Sequence, residues 1–147
     1  MAAHRQGLLH RAFSIFIFDS KNRLLLQKRS ASKYHSPDLW SNTCCSHPRP
    51  RESTEIAAHR RLQEEMGIDT ELHLVSSFTY FAQLENGLFE SEYDHVFRGA
   101  FDGCPSPDTS EVADWKWVDM KYLLKDTQDY PDQYTYWLRI ALSKGIL

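Results

Sequence analysis

The 147-residue sequence predicts an α/β fold in which helices cover a mixed sheet. Three observations lead there. Segments of strand character interleave with helical segments along the whole chain. A central helix is bounded at both ends, by Ser53 or Thr54 as N-cap and by Gly67 as terminator. The length supports one core and is short for two, so a single domain over residues 1–147 is expected.

The elements follow in order. His4 and His10 bracket a short polar segment. Ala12–Asp19 is apolar and rich in aromatic and β-branched residues, which predicts a buried strand. Ser20-Lys21-Asn22 turns the chain into a second strand, Leu24–Lys28, as a hairpin. Arg29–Asp38 reads as a polar loop closed by Pro37. The next segment delivers Cys45 and His47, two apart, to one face of a strand. In the helix that follows, Ala58, Leu62 and Met66 form an apolar stripe, and Glu55 lies in the first turn, where the helix dipole favours an anion. Glu71–Tyr80 and Leu88–Arg98 predict two strands joined by a turn at Glu85-Asn86-Gly87. Asp102–Pro107 is loop, Asp114–Val118 a strand, Asp119 to about Lys125 a short helix, and Tyr134–Ser143 the last helix.

Composition narrows the class. A hydrophobic fraction of 41% and a net charge of −3 suit a globular protein. No basic stripe invites nucleic acid, and no apolar run approaches membrane-spanning length. Three cysteines, two of them adjacent, argue against a disulfide framework and for a reducing cytoplasm. No signal peptide is visible at the start.

The chemistry concentrates in two places. Between Trp40 and Gly67 one strand-loop-helix unit gathers Cys45, His47, Arg60, Arg61, Glu64 and Glu65. Carboxylates and an imidazole beside arginines suit a cation that bridges to a phosphate ligand. Farther on, Glu90 and Glu92 project to one face of their strand, and Asp94 continues the row. Taken alone, those carboxylates read more readily as the acidic face of an exposed hairpin strand than as a metal site. Cys45 alone reads as an inert thiol, and Trp137 alone as core.

Glu52, then Arg60-Arg61-Leu62-Gln63-Glu64-Glu65-Met66-Gly67-Ile68, resembles the Nudix box. The preceding Ser41-Asn42-Thr43-Cys44-Cys45-Ser46-His47-Pro48 resembles the active-site segment of the type I isopentenyl-diphosphate isomerases. The likeness runs over essentially the whole chain and implies a Nudix-type α/β/α sandwich with its N-terminal strand segment missing. Family members carry a further strand and a lysine ahead of the Ala2-Ala3-His4 tripeptide, so either the chain is shortened or its start is naturally short. Two departures separate it from Nudix hydrolases: Ser46 stands in place of Gly, and Arg61 in place of the first box Glu. Losing that carboxylate argues against hydrolysis, whereas a second arginine suits a diphosphate that is not cut.

The resemblance implies the site. His4, His10, His47, Glu90 and Glu92 match five metal ligands, a donor set that suits Mn²⁺, Zn²⁺ or Mg²⁺. Glu65 would hold a Mg²⁺ shared with the diphosphate. Cys45 would be the acid/base group on one side of the substrate double bond, and Glu92, with Tyr80 beside it, the partner on the other. Trp137 would face a carbocation, and Arg29, Lys33 and Arg61 would hold the diphosphate. Asp38 stands where the family has Gly, which bears on the local turn. The remaining histidines, His35, His59, His73 and His95, are read as surface or packing residues, and Trp40, Trp115 and Trp117 as core. The expected ligand is a small diphosphate, with no nucleic acid and no membrane, and the expected state is a monomer or weak dimer. The rivals are a Nudix diphosphohydrolase and a non-catalytic, metal-binding or regulatory Nudix module.

Overall fold

The computed structural model describes residues 10–33, 35–83 and 89–145, with the backbone alone at His10, Ala82, Phe89 and Glu90. Expectations that fall on His4, on the Glu85-Asn86-Gly87 turn, on the side chains of His10 and Glu90, and on the N-terminal segment lie outside the described residues.

The apolar run near the start forms β1, His10–Phe18, at the centre of the sheet. Strand alternation divides its side chains between two cores. Phe13, Ile15 and Ile17 face one side, and Phe16 and Phe18 the other. Along one edge, β1 runs parallel to β6, Phe89–Ala100, from His10↔Glu92 to Phe18↔Ala100. β6 pairs antiparallel with β5, Leu72–Gln83, placing Tyr80 opposite Glu92. The other edge of β1 is shared. Phe18 meets Leu24 at the start of β2, Leu24–Arg29, while Phe13–Ile15 pair with β4, Cys44–Ser46. β3, Trp40–Ser41, and β7, Val112–Val118, both pair with β2. One parallel pairing among antiparallel ones makes the sheet mixed, as expected.

The central helix, α1, spans Thr54–Met66. The choice of N-cap falls on Ser53, whose Oγ accepts from the Ile56 amide at 3.2 Å. Gly67 closes the helix at φ 66°, and a Cβ there would lie 2.7 Å from the Ser106 carbonyl oxygen, so both conformation and space require glycine. Ala57, Ala58, Leu62 and Met66 bury the inner face of α1 against the core that holds Phe13, Ile15, Cys44 and Phe97. On the opposite side lie α2, Met120–Asp129, and α3, Tyr136–Ser143. There Leu123, Leu138 and Ala141 pack with Phe16, Phe18 and Val96. The result is a sandwich of helices on both faces of one sheet.

Some elements differ from the sequence reading, among them α2, which runs on to Asp129. His47 follows β4 instead of lying within it. The last helix starts two residues later than expected, because Pro131–Gln133 form a 3₁₀ turn and Thr135 is its N-cap. The loop before Trp40 ends in the short β3, and Asp38 sits there at φ 62°. Aspartate is one of the few side chains that visits this left-handed region, so it replaces glycine without breaking the turn.

Candidate active site

A cleft lined by Ser14, Arg29, Cys45, Glu65, Glu92 and Trp137 opens beside β4. Its position follows from strand parity. Cys44 is fully buried in the α1-side core. Cys45, the next residue, therefore points the other way and lines the cleft. Desolvation pushes the Cys45 thiol up to about 11, partly offset by the charge of Arg29, whose Nη1 lies 3.6 Å from Sγ. The group is thus a protonated thiol at neutral pH. Burial raises Cys44 well above its ordinary value too.

Glu92, which also lines the cleft, is buried, and its Oε1 stands 2.8 Å from His47 Nε2. Tyr80 pairs with Glu92 in the sheet, and its ring contacts Tyr136 at 6.0 Å between centroids. Asp94, two residues on, is also buried and accepts a 2.7 Å hydrogen bond from Ser14 Oγ. At the third side, Trp137 reaches down from α3 with its Nε1 donating to Ser41 Oγ at 2.9 Å. The Arg29 guanidinium lies 5.1 Å from the Trp137 ring centroid, so this ring already faces a cation.

Cations gather at the α1 end. Arg61 donates to Glu64 at 2.8 Å, to Glu65 at 2.5 Å and to Glu111 at 2.6 Å. Three carboxylates outweigh the cost of its burial and hold its charge firmly. Glu65 also accepts from Gln27 Nε2 at 3.0 Å, and Lys33 lies 3.7 Å from its other oxygen. Arg60 has a separate task, bracing the start of α1 through paired bonds to Glu52 at 2.8 and 2.9 Å. Hydrogen bonds from Arg60 and the Arg49 amide lower Glu52 to about 2.

Of the sequence-derived site residues, Arg29, Lys33, Cys45, His47, Arg61, Glu65, Tyr80, Glu92 and Trp137 all line this cleft. His10 is placed by its backbone alone, in register with Glu92, and Glu90 in register with Ala82. Among the described residues no group of three or more His, Cys, Asp or Glu side chains is arranged to hold a metal. His35, read as a surface or packing residue, falls on the packing side: it lines the cleft, and its carbonyl accepts two bonds from Arg29, at 3.1 and 2.9 Å. His73 is exposed as expected, and His95 packs against Tyr93. Ser41, Gln27 and Glu111 were not singled out by sequence. Each acts through side chains distant in the chain, and no local pattern marks them.

The NUDIX domain family matches residues 8–138. An isopentenyl-diphosphate Delta-isomerase of Aromatoleum aromaticum is 59% identical over 146 residues, covering 99% of this chain and 82% of the relative. Its counterpart in Burkholderia multivorans is 53% identical over 145 residues, with the same two coverages. That of Serratia proteamaculans is 57% identical over 134 residues, covering 91% of this chain and 75% of the relative. Among solved structures, a MutT NUDIX hydrolase from Burkholderia pseudomallei superposes with TM-score 0.72 over 92% of this chain and 96% of its own, at 22% identity. A MutT protein from Methanosarcina mazei gives 0.70 at 18% identity, over 80% of this chain and 81% of its own. At such identities these two share the fold only, whereas the curated relatives are similar throughout. The chain belongs to the NUDIX family, and within it to the isopentenyl-diphosphate Delta-isomerases.

Proposed function

We propose that the chain interconverts isopentenyl and dimethylallyl diphosphate by proton transfer at the cleft beside β4. The observation that carries this reading is that one cleft is lined by a protonated thiol, Cys45, a buried carboxylate, Glu92, the Trp137 ring and the cations Arg29, Lys33 and Arg61. Moving a double bond by one position requires a proton delivered to one carbon and a proton removed from another. A positioned acid and base contribute about 10²–10⁴-fold to such transfers.

Arg29, Lys33 and Arg61 bind the diphosphate and orient the five-carbon chain toward Cys45. One of Cys45 and Glu92 protonates the alkene, the other removes a proton from the carbon on the far side of the cationic centre, and the two exchange roles in the reverse direction. The raised thiol means that Cys45 enters the reaction as S–H where it is the donor, and leaves as S–H where it is the acceptor. Between the two transfers the substrate is a tertiary carbocation. The Trp137 face shields it from water and stabilises it, an attraction of up to about 2 kcal/mol in a desolvated site.

His47 and Glu92 present an imidazole nitrogen and a carboxylate oxygen 2.8 Å apart, a donor chemistry that fits Mn²⁺, Zn²⁺ or Mg²⁺. The proposed ligand set adds His4, His10 and Glu90. Such a metal, when bound, would orient the Glu92 carboxyl group and supply positive charge beside it. Glu65 fits a hard cation as a carboxylate, and its proposed role is to hold a Mg²⁺ shared with the diphosphate. The bonds it accepts from Gln27 and Arg61 are what that ion would compete with. A cytoplasmic setting is part of the same proposal.

A diphosphohydrolase is disfavoured by Arg61. It bonds Glu64, Glu65 and Glu111, and it stands where hydrolases carry a further metal-gathering carboxylate. Proton NMR of isopentenyl diphosphate with the protein and Mg²⁺ in D₂O tests the reading. It predicts the allylic isomer with incorporated deuterium, whereas release of phosphate without isomer would point to hydrolysis.

A further inference from the structure

We infer that Glu111 is a positioning residue for diphosphate recognition, one carboxylate that sets Lys33 and Arg61 side by side as a two-cation clamp. This rests on the proposed diphosphate-binding role of that pair. The geometry is specific. A single oxygen of Glu111, Oε1, accepts from Arg61 Nη2 at 2.6 Å and from Lys33 Nζ at 3.0 Å. Lys33 comes from the loop after β2 and Arg61 from α1, so nothing in the local chain holds them together.

Two like charges this close repel, and long side chains lose rotamer freedom when held in one place. Glu65, the other carboxylate near both, reaches Lys33 only at 3.7 Å. Glu64 bonds Arg61 but has no bond to Lys33 among the described contacts, and it is more exposed, at 41% against 26% for Glu111. Glu111 is itself anchored. Its amide donates to the Asp108 carbonyl at 3.0 Å, and its carbonyl accepts from the Ser30 amide at 3.1 Å. The next residue, Val112, pairs with Arg29 in the sheet. One anchored backbone segment therefore stands beside all three cations proposed for the diphosphate. Burial tends to raise the Glu111 carboxyl, but bonds from Arg61 and Lys33 outweigh this and keep it ionised. Immobilising a long side chain on binding costs affinity, so a clamp formed in advance spares the ligand that cost for two.

The test compares Glu111→Gln, Glu111→Asp and Glu64→Gln with the wild-type protein. Isomerisation kinetics and calorimetric binding of inorganic pyrophosphate in the presence of Mg²⁺ are measured together. The expected result for Glu111→Gln is a roughly tenfold rise in KM and in the pyrophosphate Kd, with kcat within about twofold. Glu111→Asp restores part of the loss because it keeps the charge, and Glu64→Gln changes either constant by less than half as much. Lys33→Met should weaken pyrophosphate binding at least as much as Glu111→Gln, and the double variant should lose less than the sum of the two, because the carboxylate acts in part through that lysine. Unchanged or tighter pyrophosphate binding in Glu111→Gln overturns the clamp, and so does a fall in kcat at constant KM. Failure of the underlying reading is distinguishable, because the wild-type protein itself would then neither isomerise the substrate nor bind pyrophosphate.

Discussion

The Trp137 indole and the Ser41 hydroxyl are joined by a buried 2.9 Å hydrogen bond, and the same hydroxyl lies 3.8 Å from the Cys45 sulfur. Ser41 also meets Thr135 Oγ1 at 3.1 Å and Asn42 Oδ1 at 2.9 Å. The ring proposed to face the carbocation and the thiol proposed to move the proton are thus tied to one fully buried serine.

Ser41→Ala leaves the indole N–H without this acceptor in a dry environment. A buried donor stranded in this way costs about 1–3 kcal/mol. The expected outcome is a lower melting temperature together with a reduced kcat, read by thermal denaturation and isomerisation rate. A variant as stable and as active as the parent would show that the network holds neither group.

Trp137→Leu removes the π face while keeping an apolar side chain. If cation stabilisation is worth up to about 2 kcal/mol, kcat falls by up to about thirtyfold. Trp137→Phe retains a face and should lose less. Equal losses in the two variants, measured at saturating substrate, would assign Trp137 to packing alone.

Thiol reactivity should rank by exposure and ionisation. Cys104 is exposed, while Cys45, raised to about 11, and Cys44, raised well above its ordinary value by burial, are protonated at neutral pH. A disulfide reagent at neutral pH is expected to modify Cys104 first and the pair slowly. The sign for stability follows. In the folded chain Cys45 keeps its proton above the 9.0 at which an unperturbed thiol ionises, so its contribution is whole below 9.0 and is lost as pH rises toward 11. Chemical denaturation across that range should show falling stability, with a smaller fall in Cys45→Ala. Rapid modification of all three thiols at neutral pH would contradict the assignment.

Metal removal should abolish turnover, because Glu92 is proposed to act while bound to a cation. Exhaustive chelation followed by Mg²⁺ or Mn²⁺ is expected to restore the rate, and His47→Ala to weaken metal affinity by about tenfold or more, the scale at which a perturbed ligand sphere is felt. Full activity in protein shown by elemental analysis to be metal-free would defeat this proposal.

Much of this architecture is legible in the sequence because it depends on local periodicity. Alternation along β1 assigns Phe13, Ile15 and Ile17 to one core and Phe16 and Phe18 to the other, and the same parity separates Cys44 from Cys45. Gly67 and Ser53 bound α1 by rules that need no tertiary structure. The exact position of His47 past the end of β4 was not legible, since Ser46 pairs with Phe13 and the ladder stops there for reasons set by β1. His35 reads only as surface or packing because its loop is polar, yet that loop folds back so that its carbonyl meets Arg29. Ser41 and Glu111 are ordinary residues in sequence, and only their contacts across 96 and 50 positions give them work.

The proposed pairing of Cys45 with Glu92 as proton carriers is most directly tested by the isomerisation rates of Cys45→Ala and Cys44→Ala, with folding followed by circular dichroism. Cys45→Ala removes the proton-carrying thiol and should lower kcat by about 10²–10⁴-fold. Diphosphate binding should persist, since Arg29, Lys33 and Arg61 remain. Cys45→Ser should be nearly as slow, because a hydroxyl is a far weaker acid than a thiol. Cys44→Ala trims a core side chain at a cost of about 1 kcal/mol and should leave kcat largely intact. A dead Cys44→Ala beside an active Cys45→Ala would contradict both the register of β4 and the chemistry assigned to the cleft.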